Sequence, residues 1–155
     1  MNKVSIYFLK LLTICIGILV LYLLIRFPLL EGRALHLSLL EIYSDTFIIY
    51  VYVSSIAFFT GLYQCLKLLK QIGHENLFTV NSIHILGKIK YCSYVLVLLI
   101  ALAAFYIRFF HNPDDDPAGF LALSMLMILF FASIGTVTFY FQKSILKALV
   151  IENTL

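Results

Sequence analysis

The sequence predicts an all-α integral membrane bundle of four transmembrane helices, and three observations carry that prediction. Four apolar runs, at about residues 8–28, 46–66, 91–109 and 120–141, each approach the ~20 residues a helix needs to cross ~30 Å of hydrocarbon. Of 155 residues, 63% are hydrophobic and only 12% charged, with mean hydropathy +1.03. That leaves too little polar material for a soluble domain beside four spans, so residues 1–155 are read as one membrane domain. The cations are also sorted: all eight lysines lie at one set of span ends, and Arg26, Arg33 and Arg108 lie at the other. By the positive-inside rule both termini of this multi-pass membrane protein are expected to be cytoplasmic. The acids agree, with Glu31, Glu41, Asp45, Asp114, Asp115 and Asp116 on the expected outer side and only Glu75 and Glu152 inside.

Span one follows Lys3 and Lys10 and continues to Leu30 without a small-residue cleavage site. It is therefore read as a retained anchor. The connection after it, from about Phe27 to Tyr43, holds Pro28, Gly32 and an apolar stretch broken by His36 and Ser38, a pattern that suits a short helix along the membrane surface. Span two carries Tyr50, Tyr52, Ser54, Ser55, Thr60 and Gln64. Such groups need partners in hydrocarbon, so this helix is expected to face its neighbours.

A cytoplasmic hairpin extension is predicted over residues 67–90. Gly73 sits where a left-handed residue often ends a helix. Thr79 reads as the N-cap of the next helix, with Phe78 packing on Ile83 as a hydrophobic staple. Helix three then begins about two turns before the membrane, with Ile83, Leu86 and Ile89 on one side. The outer turn before span four places Asp116 as N-cap and Pro117 at the first helical position, where its missing N–H is not needed. The tail, residues 142–155, alternates Ile145, Leu146, Leu149 and Val150 with Lys143 and Lys147. Exposed in water, these apolar faces would be an unusual loss of burial energy, so the tail is expected to pack on the hairpin. Ala101 and Ala104 in span three and Ala132, Gly135 and Thr136 in span four are expected to form close packing seams.

Chemistry is sparse. No Asp, Glu, Lys, Arg or His falls in the central half of any span, which argues against pumps and proton-coupled carriers. Ser54, Ser55, Ser124 and Ser133 have no acid or base at their depth, so they are read as helix-contact residues and no enzyme activity is expected. Cys15, Cys65 and Cys92 are expected to be reduced structural thiols. His36, His111, Asp114, Asp115 and Asp116 are the best metal-ligand cluster, but their spacing matches no diagnostic site; a capped helix in a solvated loop accounts for them, and no metal or cofactor is assigned. His84 reads as an ordinary exposed histidine.

Three segments together resemble a bacterial four-span family catalogued as domain of unknown function 2975: HENLFTVNSIHILGKIKYCSY from His74 to Tyr94, DDDPAGF from Asp114 to Phe120, and QKSILKALVIENTL from Gln142 to Leu155. The order Pro117-Ala118 and the absence of an aspartate from the last four residues depart from the family pattern. The resemblance implies genes often adjacent to a small helix-turn-helix regulator. The expected function is accordingly a non-enzymatic membrane sensor or anchor for a cytoplasmic transcriptional regulator. Its partner-binding residues would be Phe78, Thr79, Asn81, Ile83, Leu86, Ile145 and Leu149. The competing expectation is a small transporter, or an immunity-type protein binding an amphiphilic peptide or lipid between its helices. Membrane lipid is an expected partner, nucleic acid is not, and an oligomer is allowed but not indicated.

Overall fold

A computed structural model of the chain describes residues 3–30, 46–73, 79–110 and 117–152, and every element among them is helical. Helix α1 is Lys3–Leu30, α2 Thr46–Gly73, α3 Val80–Phe110 and α4 Ala118–Glu152. All four are long and apolar enough to cross a membrane. At ~1.5 Å rise per residue the 35 residues of α4 extend about 52 Å. This exceeds the ~30 Å of hydrocarbon, so the lysine-rich end of α4 stands clear of the acyl region. The other helices run past their expected spans at the same end.

Packing follows chain order. The α3–α4 contact is the most extensive, then α2–α3, then α1–α2. Neighbours are antiparallel, as Tyr50 of α2 meets Leu99 of α3 near one end and Gln71 meets Ser82 near the other. Helices α2 and α4 also touch, through the edge-on ring pairs Phe47–Phe120 at 6.2 Å and Phe58–Phe131 at 6.4 Å. The three form a triangular core, and α1 lies on the flank of α2 with only Ile6 and Gly17 buried among its described side chains.

Two hydroxyls of span two bear out the reading of α2 as the helix that faces its neighbours, while those of Ser54, Ser55 and Thr60 bond to carbonyls of α2 itself. Tyr50 Oη donates to the Leu99 carbonyl of α3 at 2.7 Å, and Tyr52 Oη donates to the Leu24 carbonyl of α1 at 3.2 Å. Leu24 is four residues before Pro28, which lies inside α1 rather than in the connection where the sequence placed it. Proline has no N–H for the carbonyl one turn earlier. In hydrocarbon that carbonyl needs another donor, and the Tyr52 phenol provides it.

Elsewhere hydroxyls turn back on their own helix. Thr13, Thr60, Ser133 and Thr136 each donate to the carbonyl four residues earlier at 2.7–2.8 Å, which lets an exposed hydroxyl face lipid. Ser133 and Thr136 are therefore lipid-facing, not helix-contact, residues. Ala101 is exposed as well. Gly135 is at the α3–α4 seam as expected, and a Cβ there would lie 3.2 Å from two ring atoms of Tyr94 and 3.5 Å from Ser93 Cβ. Gly73 also departs from expectation: it is the last residue of α2 without a left-handed backbone and lies against Ile6. Among the described residues no buried side-chain nitrogen or oxygen lacks a hydrogen-bond partner.

Candidate functional site

Several polar side chains join different helices at the lysine-rich end. Thr79 caps α3: its Oγ1 accepts the Ser82 N–H at 3.3 Å, and its carbonyl accepts the N–H groups of Ser82 and Ile83 at 3.0 and 3.3 Å. Ser82 is fully buried, and its hydroxyl donates to Gln71 Oε1 of α2 at 2.6 Å. A hydroxyl has one proton, so in the 3.1 Å Thr79–Ser82 contact Thr79 is the donor. The start of α3 is thereby pinned to the end of α2.

Gln142 does the same for α4. Its Nε2 donates to the Ile83 carbonyl at 3.2 Å, and its Oε1 accepts from Lys90 Nζ at 3.3 Å. Lys90 also stands 5.3 Å from the Phe139 ring and 5.6 Å from the Tyr91 ring, within cation–π range. Below these bonds Ile85, Leu86, Ile89 and Ile145 are buried, Ile145 to 1% exposure. The tail and the hairpin extension therefore do pack together.

Beside this seam a groove of about 520 Å³ opens between α3 and α4. One edge is Val80, Ile83, His84, Gly87, Lys88 and Tyr91; the other is Gln142, Leu146, Leu149 and Val150. Spacings of three and four along each helix put these residues on single stripes. Val80, His84, Lys88, Tyr91, Leu146 and Val150 are exposed. A second cavity, of about 240 Å³, lies near the opposite end between Phe47 and Tyr50 of α2 and Leu102, Ala103 and Tyr106 of α3.

The candidate partner residues divide. Ile83 and Leu149 line the groove, Thr79 is the cap, and Asn81 is exposed outside it. Leu86 and Ile145 are core residues, so in this conformation their apolar surface is already taken by the protein itself. Phe78 and its staple lie outside the described residues, as do His36, His111, Asp114, Asp115 and Asp116. Pro117 directly precedes α4, and its carbonyl accepts the Leu121 N–H at 3.0 Å. Among the described residues no three His, Cys, Asp or Glu side chains come together as metal ligands. Cys15, Cys65 and Cys92 are free thiols. Sequence reasoning passed over His84, Lys88, Tyr91 and Gln142 as groove residues. Their spacing was visible, but the register of α3 against α4, which makes a groove of two stripes, was not.

Comparison with known proteins gives a consistent picture. Residues 25–153 match the family model described as protein of unknown function (DUF2975). The chain is 30% identical to the uncharacterized membrane protein YoaS of Bacillus subtilis (strain 168), over 99% of this chain and 96% of that protein. No solved structure matches.

Proposed function

Because the chain belongs to the DUF2975 family of proteins of unknown function, with four helices able to cross a membrane, we propose that it is a non-enzymatic membrane anchor or sensor. Its lysine-rich end faces the cytoplasm and holds a cytoplasmic protein, the helix-turn-helix regulator being the first candidate. The observation that supports this reading most is the α3–α4 groove. Its outer end, Val80 with Val150, and Leu146 at its middle keep apolar side chains 67%, 56% and 51% exposed on a hydrogen-bonded base at the lysine-rich end. Two parallel apolar ridges of this kind suit an amphipathic helix laid along them.

The regulator, co-expressed with the full chain, is expected to sediment with membranes. The double substitution Leu146→Asp with Val150→Asp should return it to the soluble fraction, since loss of one well-packed contact worth about 2 kcal/mol lowers affinity roughly thirtyfold. A regulator that stays soluble beside the unaltered chain, or stays membrane-bound beside the double variant, contradicts the reading. The competing reading, ligand handling between helices, has the 240 Å³ cavity beside Tyr50 in its favour. It requires that filling that cavity by Ala103→Leu abolish activity while the groove substitutions leave it intact.

A further inference from the structure

We infer that the membrane-proximal half of the α3–α4 groove is a binding site for the headgroup of an anionic phospholipid. This goes beyond partner holding and requires no partner. His84, Lys88 and Tyr91 stand at spacings of four and three on one stripe of α3, all exposed along the groove edge. At ~1.5 Å per residue they cover about 10 Å of helix. The stripe offers an imidazole, an ammonium and a phenolic hydroxyl, each able to donate a hydrogen bond. The facing stripe is apolar at Leu146. Its one polar side chain, Gln142, is already committed through both nitrogen and oxygen to Ile83 and Lys90.

The two adjacent lysines have different roles. Lys90 is bonded to Gln142 and covered by the rings of Phe139 and Tyr91. Lys88 is exposed on the groove edge and has no hydrogen bond or ion pair among the described residues. A donor stripe carrying an exposed ammonium, opposite an apolar side chain, is complementary to an anionic group attached to an apolar body. Phospholipid is favoured over an acidic helix from the cytoplasm by level. Exposed Tyr91 and Tyr140 mark the polar–apolar boundary, where phosphodiesters are always present at high local concentration, whereas a soluble peptide must first be recruited. Basic pockets between membrane helices hold such headgroups in general.

The test uses the full chain, purified in neutral detergent, with phosphatidylglycerol and phosphatidylcholine as probes and native mass spectrometry to count bound lipid. One phosphatidylglycerol should be retained in preference to phosphatidylcholine. Lys88→Gln should weaken its retention about fivefold, the value of one lysine near an anionic surface. Lys88→Arg should keep it, and Lys70→Gln, an exposed lysine on α2 away from the groove, should leave it unchanged. Equal losses in Lys88→Gln and Lys70→Gln would overturn the site in favour of a diffuse lysine field. Displacement by inorganic phosphate at the concentration of the lipid would show that the groove takes phosphate as such and overturn the lipid assignment. Tighter, Lys88-dependent binding of a synthetic Leu/Glu amphipathic helix would overturn it in favour of a peptide dock.

Discussion

Ile145→Ala is expected to lower the stability of the protein in detergent by about 2–5 kcal/mol, the range for truncating a buried isoleucine to alanine, while Leu146→Ala next to it changes little. Ile145 is 1% exposed and Leu146 51% exposed. The size of the effect depends on where the residue sits. Within hydrocarbon, apolar burial between helices drives little, because lipid is as apolar as the partner helix. Ile145 lies between Lys143 and Lys147, at the lysine level, so the burial it loses is burial from water, at roughly 25 cal/mol per Å². Thermal unfolding followed by circular dichroism checks the pair. Equal losses at both positions would mean that the tail is not packed as described.

Tyr52→Phe should cost about 1–3 kcal/mol, the penalty for leaving a buried acceptor without a donor. The acceptor is the Leu24 carbonyl, which lacks its helical N–H because residue 28 is proline. The explanation is testable by a double-mutant cycle. In a Pro28→Ala background the backbone regains the N–H, so Tyr52→Phe should cost distinctly less than in the natural chain. The same stability assay reads both. A Tyr52→Phe cost that is identical in the two backgrounds would show that the phenol does not substitute for the missing amide.

What could be read from the sequence followed physical scale. The four spans and the start of α3 were legible because they rest on local signals: ~20-residue apolar runs and the hydroxyl of Thr79 three residues before Ser82. The packing of Ile145 with the hairpin extension was legible as a need, since a run of isoleucines and leucines outside lipid must be covered. Pro28 was misplaced into a connection because the residue that makes it tolerable, Tyr52, is on another helix. Ala101 and Thr136 were expected in a seam from their size alone, but rotation of α3 and α4 about Gly135 turns both outward. The groove was missed for the same reason. Lys88 and Lys90 are indistinguishable in sequence, and only the position of Gln142 between the helices makes one structural and leaves the other available.

The partner-holding account stands on the lysine-rich end facing the cytoplasm, and cysteine accessibility tests that most directly. Cys15, Cys65 and Cys92 would be replaced by serine and a single cysteine placed at Asn81 or at Gly119. Both positions are exposed, at opposite ends of the bundle, and no atom lies within 4 Å of a Cβ at Gly119. A membrane-impermeant maleimide added to intact cells should label Gly119→Cys and should reach Asn81→Cys only after the membrane is permeabilised. Labelling of Asn81→Cys in intact cells, with Gly119→Cys protected, would put the groove on the outer surface and contradict the account.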